Sequence, residues 1–512
     1  MTSPQSYTSL DAIDSHVQQL QATFRQGVTR PLAKRREQLQ ALYRLVDDNE
    51  EQLCQSVHAD LRRHPVDTVL IEIASILHEI DDQLVNLEAR TRPQRVAGTA
   101  VTIASTPMIR KEPKGVVLSI SPWNFPLRLP LKALIPALAA GNTVLLKLSE
   151  VSVEATATLK HLIEKYMDPA VVRVVVGGPT ETTHLLKHRF DHISFTGSTR
   201  VGQIVMTAAA QHLTPVTLEL GGKNPAIILP DANLDLAVKR IVWGKLVNAG
   251  QICLSPDYIV CDHTTQAKLP VLFKKYVRQF YGDDPKQSPD LARIISDQHY
   301  QRLHQLIRDG PHAKRVVGEL DAWDAIQRYV PPTLLLDVTL DDAVMQDELF
   351  GPILPVVPVT DRTAILETVQ RHDTPLSLYL FSNDRQAIAQ ILDNTRSGSV
   401  CVNDVLRHYE TNNVPFSAVG TSGNGRLNGR YGFDTFTHER ATMISSANVP
   451  CDLLLEVRYP PFSGDSNKWK LWAARHILAR GGPRYLRWPG TWPSLLVIAS
   501  VAAAWWFKVR AS

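Results

Sequence analysis

The chain has 512 residues, of which 44% are hydrophobic and 21% are charged, and its formal net charge is +4. This length predicts two or three domains with sizeable hydrophobic cores. The ordinary apolar fraction excludes intrinsic disorder, and so small a net charge argues against nucleic acid as a partner.

Charge and tryptophan are unevenly distributed along the chain. Residues 465–512 carry a net charge of +7, whereas the preceding residues sum to −3. Six of the nine tryptophans also fall in this last segment. The composition therefore predicts a slightly acidic globular body followed by a basic, tryptophan-rich tail.

The five cysteines indicate a reducing compartment. They are odd in number and include no Cys-x-x-Cys pair, which disfavours a disulfide framework or a zinc site. The 17 histidines show no His-Glu-x-x-His or comparable spacing, so no metal is expected. The first residues lack the basic-then-apolar pattern of a secretory signal, and we expect the body to fold in the cytosol.

Apolar residues recur at helical spacing early in the chain and predict helices over residues 10–90. From Val116 onward, short β-branched runs alternate with helical stretches. The predicted strands are Val116–Ile120, Val144–Lys147, Val171–Val176 and His192–Phe195, and the helices that follow them are Leu129–Ala140, Glu154–Tyr166, Glu181–Lys187 and Thr199–Ala209. The alternation predicts an α/β fold with a doubly wound parallel sheet, which binds ligands at the carboxyl ends of its strands.

A second alternating region follows Glu219. Its predicted strands are Ala226–Leu229, Tyr258–Cys261, Val356–Val359, Leu378–Phe381 and Val400–Val402. Residues 406–437 are rich in Gly and Asn, and we interpret them as loops near a site or an interface.

Two polar turns follow predicted strands of the first sheet. Asn124 lies in a Ser-Pro-Trp-Asn-Phe-Pro segment, where its carboxamide can donate a hydrogen bond into a site; the alternative is a purely structural turn. Lys147 and Glu150 leave the next strand and are suited to grip ribose hydroxyls, although a solvated turn would explain them equally.

A further strand runs into a helix through glycine. The segment comprises Gly197, Ser198, Thr199, Arg200, Val201 and Gly202. A helix start offers free N–H groups and a positive dipole end, which suits a phosphate. The glycine spacing lacks the three-glycine dinucleotide fingerprint, so the segment alone is a weak signal.

Glu219 and Cys253 are the candidate reactive groups. Glu219 stands at a strand end beside two glycines, where a carboxylate can serve as a general base, a structural ion pair or a helix cap. Cys253 lies in a loop of small and polar residues, as a nucleophile would, whereas the alternative is a buried structural thiol. The structural interpretation is kept for Cys54, Cys261 and Cys401.

Taken in order, these motifs resemble the aldehyde dehydrogenase superfamily over about residues 10–445. They run from Pro-Trp-Asn through Lys-x-Ser-Glu, Phe-Thr-Gly-Ser, Glu-Leu-Gly-Gly-Lys and Gly-Gln-x-Cys to the Glu-Leu-Phe-Gly-Pro segment of Glu348 and Phe350. Other stretches look like the class 3 branch, which includes membrane-bound fatty aldehyde dehydrogenases; they are Thr207–Lys223, Ser255–Tyr258, Val402–Val405 and Tyr431–His438.

The resemblance implies a role for each catalytic candidate. Cys253 attacks the aldehyde carbon as a thiolate. The side-chain amide of Asn124 and the backbone N–H of Cys253 hold the oxyanion. Hydride transfer then leaves a thioester, and Glu219 activates the water that releases the acid.

The resemblance also implies NAD as the cofactor. Lys147 and Glu150 are expected at the adenosine ribose, Gly197–Gly202 near the pyrophosphate, and Glu348 with Phe350 at the nicotinamide ribose. A glutamate at the adenosine ribose repels a 2′-phosphate, so NAD is expected to be favoured over NADP.

The domain organisation is expected to follow the family. Residues 10–98 and 116–218 are predicted to form the NAD-binding domain, and residues 219–400 the catalytic domain. Residues 99–115 and 401–445 are predicted oligomerisation or bridging segments, which implies a homodimer.

Three positions depart from the family pattern. Leu148 stands where Pro is usual, Ile252 precedes the nucleophile where Thr is usual, and Pro415–Gly425 differs from the family's glycine-rich loop. None of these removes a catalytic group. Leu148 bears on the cofactor preference, and the last departure bears on the mouth of the substrate site.

The tail is predicted to anchor the protein in a membrane. Residues 465–484 are predicted to form a basic amphipathic helix of the interfacial kind, and residues 488–507 contain no formal charge. At about 1.5 Å per residue the latter just span a hydrocarbon core of ~30 Å, with tryptophans at both ends. A monotopic insertion and a helix packed on the body are the alternatives.

A membrane-anchored enzyme meets aldehydes that partition into bilayers. The expected substrate is therefore a hydrophobic aldehyde, either a long-chain fatty aldehyde or an apocarotenal. The expected membrane is the endoplasmic reticulum or the outer mitochondrial membrane. Two other functions stay open: a dehydrogenase that passes the thioester to coenzyme A, which the presence of Glu219 argues against, and a catalytically silent membrane scaffold.

Overall fold

A computed structural model describes residues 7–475 except residues 100–101, 103–104, 309–315, 318–319, 449–451 and 453–454. The chain forms two compact units. The first comprises the chain up to Arg90 together with Pro113–Thr437, and the second comprises Thr91–Glu112 together with the chain from His438.

Helices and strands alternate through most of the described chain. The helices are α1 Leu10–Arg25, α2 Leu32–Asp47, α3 Glu50–Leu61, α4 Pro65–Thr68, α5 Ala74–Thr91, α6 Arg128–Ala140, α7 Val153–Tyr166, α8 Pro179–Leu185, α9 Thr199–Ala210, α10 Leu234–Leu246, α11 His263–Tyr281, α12 Asp297–Arg308, α13 Arg362–Gln370, α14 Arg385–Asp393, α15 Gly429–Thr435 and α16 Lys468–Ala473. The strands are β1 Gln94–Arg95, β2 Ser105–Pro113, β3 Val116–Ile120, β4 Thr143–Ser149, β5 Val172–Gly177, β6 His192–Thr196, β7 Val216–Glu219, β8 Pro225–Ile228, β9 Tyr258–Asp262, β10 Val316–Val317, β11 Thr333–Leu335, β12 Ile353–Val359, β13 Ser377–Phe381, β14 Ser399–Val402, β15 Phe416–Ser417, β16 Gly423–Asn424, β17 Arg426–Leu427 and β18 Thr437–Ser445.

The helices predicted over residues 10–90 are confirmed as α1 to α5. Ser9 begins α1, since its hydroxyl accepts a hydrogen bond from a backbone N–H of the first turn. Between α4 and α5 the chain makes a π-helical turn, Val69–Ile73. Such turns are frequent at functional sites.

The first sheet is the predicted doubly wound parallel sheet. Its strands lie in the order β16-β7-β6-β3-β4-β5, and all are parallel except the edge strand β16. Side chains alternate between its faces: Val117 and Val144 pack against α2, α6 and α7, whereas Leu118 and Leu145 pack against α1, α8 and α9. Burial on both faces explains why these strands are continuous apolar runs in the sequence.

The order of the strands defines where this sheet binds a ligand. From β3 the chain adds β4 and β5 on one side and then β6 and β7 on the other. Doubly wound sheets bind ligands at this reversal, beyond the carboxyl ends of the strands. Asn124 follows β3 and Gly197 follows β6, so both lie at this edge.

The second sheet contains the strands of the second alternating region. Their order is β10-β11-β12-β9-β8-β13-β14, and only β10 is antiparallel to its neighbour. Apolar clusters pack on both faces. The five strands predicted between residues 226 and 402 are confirmed as β8, β9, β12, β13 and β14, with small shifts at their ends.

The prediction of loops over residues 406–437 is only partly correct, because three short strands and the helix α15 lie there. Gly429 and Gly432 lower the helix propensity of α15 and hide it in the sequence. In the fold Phe433 is fully buried, and this packing stabilises the helix. A Cβ on Gly432 would lie 3.1 Å from the ring of Pro136, so the glycine permits close packing on α6.

The second unit contains a three-stranded sheet in the order β1-β2-β18. The predicted amphipathic helix over residues 465–484 is represented by α16, and its residues after 475 lie outside the described part of the chain. The predicted anchor, residues 488–507, also lies outside it. Within the described part, every helix falls short of the length and apolarity that a membrane crossing requires.

Arg63 and Glu72 form a fully buried ion pair, and Arg63 also contacts the loop that follows β3. Arg63 comes just after α3 and pairs with Glu72 of the π-helical turn, and neither side chain is exposed. Arg63 also donates hydrogen bonds to the carbonyl oxygen of Asn124 at 2.6 Å and to Oδ1 of Asn248 at 3.1 Å. Glu72 accepts hydrogen bonds from two backbone N–H groups at the start of α6, at 3.0 and 2.8 Å. The pair thus joins segments that are distant in the sequence.

Replacing Glu72 by Gln is expected to lower the free energy of unfolding by about 3–5 kcal/mol, because the buried guanidinium of Arg63 loses its counter-charge. Chemical denaturation followed by tryptophan fluorescence measures this loss. Glu164→Gln is the matched control, since it breaks the exposed pair of Lys160 and Glu164, whose N–O distance is 2.7 Å and whose contribution should be small. Equal losses in the two variants would contradict the role given to the buried pair.

Candidate functional site

Asn124 is buried where the loop after β3 meets the loop that carries Cys253. Its side-chain Nδ2 donates to the carbonyl oxygen of Gln251 at 3.0 Å. Its backbone carbonyl accepts from Arg63 and, at 3.0 Å, from Nδ2 of Asn248. A carboxamide carries two N–H groups, and the hydrogen bond to Gln251 uses one of them, which leaves the second N–H of Asn124 available among the described residues.

The loop that carries Cys253 has a strained backbone. Asn248, Ala249 and Gly250 follow each other with φ values of 54°, 51° and 75°, in the left-handed region that is costly for residues with a Cβ. A Cβ on Gly250 would lie 2.2 Å from the carbonyl oxygen of Gly351, so only glycine fits there. Because Asn248 is held by Arg63, the strained segment is kept in one arrangement.

Asn224, just before β8, clamps the backbone of Cys253. Its Nδ2 donates to the carbonyl oxygens of Cys253 at 2.7 Å and Ser255 at 3.0 Å. Its Oδ1 accepts from the backbone N–H of Ser377 at 2.9 Å. The side chain therefore connects the loop that carries Cys253 to the start of β13.

Cys253 is a partly exposed residue, and its thiol lies in an electrostatically unfavourable place for a thiolate. Burial, followed by the carboxyl groups of Glu348 and Glu219, raises the pKa of Cys253 to about 12. At neutral pH the thiol is therefore protonated, and it requires a base to become a nucleophile.

Glu219 ends β7 and is buried. Neither of its carboxyl oxygens has a hydrogen-bond partner among the described residues. Burial raises the pKa of Glu219 to about 8, and the nearby Lys132 opposes this shift. A carboxyl group that titrates near neutral pH and has no partner is suited to general base catalysis.

Glu348 and Phe350 belong to the Glu-Leu-Phe-Gly-Pro segment, which lies near Glu219 and Cys253 as well. A Cβ on Gly221 would lie 2.2 Å from Oε2 of Glu348, so the glycine makes room for this carboxyl group. Burial, followed by the charge of Asp257, raises the pKa of Glu348 well above its usual value. The ring of Phe350 makes an edge contact with Trp123 at a centroid distance of 5.4 Å.

Asp257 joins the motifs that carry these groups. Its carboxylate pairs with Lys223 at 2.7 Å and Lys245 at 3.4 Å, and it accepts from the backbone N–H of Leu349 at 3.3 Å. Although burial opposes them, the two lysines hold the pKa of Asp257 below its usual value. The buried network fixes the segments of Glu219, Cys253 and Glu348 relative to one another.

Lys147 and Glu150 lie at the carboxyl end of β4, at the same edge of the first sheet. They pair with each other at an Nζ–Oε2 distance of 2.8 Å. Lys147 is buried, whereas Glu150 is partly exposed. The pair therefore presents its acidic member to solvent.

The segment Gly197–Gly202 turns from β6 into α9. The N–H of Gly197 donates to the carbonyl oxygen of Glu219 at 3.1 Å, which places the turn beside the candidate base. A Cβ on Gly202 would lie 2.7 Å from the side chain of Leu220, so this glycine lets α9 approach the sheet. Partly or fully exposed residues line the start of the helix, namely Ser198, Thr199, Arg200 and Val201.

The structure thus brings the predicted residues into two groups. Asn124, Glu219, Cys253, Glu348 and Phe350 surround one centre. Lys147, Glu150 and the Gly197–Gly202 turn extend along the neighbouring edge of the first sheet.

Lys132 is a component of this centre that sequence reasoning missed. It lies on α6 and is buried, and its Nζ has no hydrogen-bond partner among the described residues. Its ammonium group lies 3.8 Å from the ring centroids of both Tyr409 and Phe416, a cation–π arrangement. Burial, followed by the charge of Arg128, lowers the pKa of Lys132 well below its usual value. A lysine within the apolar run Leu129–Ala140 was the available signal.

Comparison with known proteins agrees with this geometry. Residues 4–442 match the sequence profile of the aldehyde dehydrogenase family. Human aldehyde dehydrogenase family 3 member B1 is 43% identical over 454 residues, which cover 89% of this chain and 96% of the human protein. A mouse protein named "Aldehyde dehydrogenase, dimeric NADP-preferring" is 42% identical over 449 residues, with coverages of 88% and 98%.

A solved structure extends the comparison to three dimensions. The substrate-bound state of Staphylococcus aureus AldH matches with a TM-score of 0.86 at 36% sequence identity, and covers 90% of this chain and 99% of that chain. The parallel sheets, the ordered motifs and these relatives lead to one conclusion: the chain belongs to the aldehyde dehydrogenase family, in its class 3 branch.

Proposed function

We propose that this aldehyde dehydrogenase oxidises a hydrophobic aldehyde to its carboxylic acid with NAD, and that Glu219, Cys253 and Asn124 carry the chemistry. The observation that supports this assignment is the buried carboxyl group of Glu219, which has no partner among the described residues and interacts electrostatically with Cys253. Such a carboxyl group can accept a proton when it is ionised.

In this proposal Cys253 gives its proton to Glu219 and attacks the aldehyde carbon as a thiolate. The second N–H of Asn124 and the backbone N–H of Cys253 hold the oxygen as it becomes an oxyanion. After the aldehyde hydrogen leaves as a hydride, the acyl group remains on Cys253 as a thioester. Glu219 releases the proton of Cys253 to solvent and then takes a proton from the water that attacks the thioester, so that the acid leaves and the sulfur of Cys253 is freed.

NAD, when bound, accepts the hydride. The residues proposed to hold NAD suit its pyrophosphate and its two riboses. The start of α9, Gly197–Gly202, would face the pyrophosphate, Lys147 and Glu150 the adenosine ribose, and Glu348 with Phe350 the nicotinamide ribose. Support for the last position comes from Oε1 of Glu348, which is buried without a hydrogen-bond partner among the described residues.

The preference for NAD is assigned to Glu150. Its carboxylate is partly exposed beside Lys147 and would repel a 2′-phosphate. The mouse relative is named NADP-preferring, so the branch includes the opposite preference. Lys147 offers a positive charge for a phosphate once the glutamate is neutralised.

The parts of the chain are assigned accordingly. Residues 10–98 and 116–218 would bind the cofactor, and residues 219–400 would carry the catalytic loop. Residues 99–115 and 401–445 would join two copies in a homodimer, as the name of the dimeric mouse relative suggests. The tail, residues 465–512, would hold the protein at a membrane, where long-chain fatty aldehydes or apocarotenals are concentrated. The catalytic body would lie in the cytosol.

Replacing Glu219 by Gln is expected to lower the steady-state rate of NADH formation by about 10²–10⁴-fold, the usual contribution of a general base. In the native enzyme the rate should rise with pH through about 8, because only the ionised carboxylate accepts a proton and burial raises its pKa to that value. Initial rates across a pH series measure both effects. A native rise that persists unchanged in the variant would remove Glu219 from the mechanism.

Glu150→Gln is expected to raise the ratio of kcat/KM for NADP to that for NAD by roughly tenfold. Two like charges about 6 Å apart at an effective dielectric constant of about 40 repel by about 1.4 kcal/mol, which is a tenfold effect. Glu154→Gln, in the first turn of α7, is the control and should leave the ratio unchanged. An unaltered ratio in the Glu150 variant would show that another group selects the cofactor.

The substrate proposal is tested with aldehydes of different length. The kcat/KM for hexadecanal should exceed that for hexanal by roughly tenfold or more, since each buried methylene contributes about 0.8 kcal/mol. Removing residues 465–512 should reduce this advantage when lipid vesicles are present. A clear preference of the full chain for hexanal would overturn the assignment of a long hydrophobic substrate.

A further inference from the structure

Three side chains outside the catalytic centre converge on the surface of the first unit. Asp14 lies on α1, His184 lies in the last turn of α8, and His188 lies in the turn that follows. Nε2 of His184 is 2.6 Å from Oδ1 of Asp14, and Nε2 of His188 is 2.8 Å from the same oxygen. The two imidazole rings meet edge to face at a centroid distance of 5.4 Å.

The three side chains offer one coordinating atom each, and these atoms lie within 4.8 Å of one another. Zinc–ligand distances of about 2.0–2.2 Å at a tetrahedral angle put neighbouring ligand atoms ~3.3 Å apart. An ion would therefore separate Asp14 from each imidazole by roughly half an ångström and draw the two imidazoles together. Side-chain rotations achieve such changes without moving the helices.

We propose that Asp14, His184 and His188 form a binding site for a divalent transition-metal ion of the zinc class. Two imidazoles and one carboxylate are donors that Zn²⁺ accepts, whereas Mg²⁺ and Ca²⁺ prefer oxygen ligands alone. Three protein ligands leave a fourth position for water. The site is separate from Cys253 and does not depend on the reaction proposed for it.

The local fold favours a cation at this position. His184 and His188 are four residues apart at the carboxyl end of α8, and backbone hydrogen bonds continue the turn from one to the other. The carboxyl end of a helix carries a partial negative charge. All three side chains are partly exposed, with exposed fractions of 39% for Asp14, 21% for His184 and 26% for His188, so an ion can reach them from solvent.

A bound ion would cross-link α1, the first helix of the chain, to α8, which packs on the first sheet. α1 packs through Ile13, Val17 and Leu20 against the apolar cluster that includes Leu185 of α8 and strands β3 and β4. Asp14 and His184 are 170 residues apart in the sequence. A ligand that binds only the folded chain stabilises it, and this ion would do so by joining α1 to α8.

The test uses the full chain carrying Cys253→Ser, which removes the thiol that would compete for zinc. Zn²⁺ is titrated at about pH 8, since metal ions compete with protons for their ligands, with binding followed by calorimetry and stability by thermal melting. One Zn²⁺ per chain should be lost in the His184→Asn/His188→Asn variant. The melting temperature should rise by a few degrees with Zn²⁺ in the parent, but not in this variant and not with Mg²⁺.

His161→Asn is the matched control, because His161 is exposed on α7 and belongs to no such cluster among the described residues. It should keep the bound Zn²⁺ and the thermal shift. Asp14→Asn separates a metal site from a hydrogen-bonded triad, since it removes the anionic ligand and should weaken Zn²⁺ binding at least tenfold. The proposal fails if the parent binds no more Zn²⁺ than the double histidine variant, or if Asp14→Asn changes the melting temperature but not the binding of Zn²⁺.

Discussion

The catalytic centre depends on the ion pair of Arg63 and Glu72, which is buried without any exposure. Two charges removed from water are stable only when their remaining hydrogen-bonding groups are satisfied. Here the partners are the carbonyl oxygen of Asn124, the side chain of Asn248 and the first N–H groups of α6. The hydrogen bonds of the pair thus reach both the loop after β3 and the strained loop that carries Cys253, and the helical turns before β1 support the candidate site without contributing any of its predicted residues.

Some buried ionisable groups of the centre have no hydrogen-bond partner among the described residues. Glu219 and Lys132 are buried with no hydrogen-bond partner among the described residues, whereas the neighbouring Asp257 is fully engaged by Lys223, Lys245 and a backbone N–H. The contrast is that the carboxylate of Asp257 is satisfied and its pKa falls, whereas Glu219 has no hydrogen-bond partner among the described residues and its pKa rises. The ion pairs and the hydrogen bond of Asp257 hold the surrounding segments in fixed positions. Glu219 and Lys132, which have no hydrogen-bond partner among the described residues, depend on this network for their placement.

Much of this arrangement can be predicted from the sequence. Continuous β-branched runs and helical spacing identify both parallel sheets, because burial of a strand on two faces leaves a direct apolar signature. Short motifs identify Asn124, Glu219 and Cys253 because each follows a strand or a tight turn. Arg63, Glu72 and Asn224 escape prediction, because no local motif marks them and the loops or helix starts that they hold lie farther along the chain. The helix α15 escapes for a different reason: its glycines lower local propensity, and only packing of Phe433 reveals it.

The edge strand β16 has a consequence for how the protein matures. Gly423 lies directly opposite Glu219 in the antiparallel pair of β16 and β7, and a Cβ on Gly423 would lie 1.9 Å from the carbonyl oxygen of Leu218. The strand that ends at Glu219 is therefore covered by a segment synthesised about two hundred residues later. While the chain emerges from the ribosome, β7 has an unpaired edge of the kind that chaperones protect. A chain that stops before β16 contains Cys253 and Glu219 in its sequence, but it lacks the strand that completes the sheet beside Glu219.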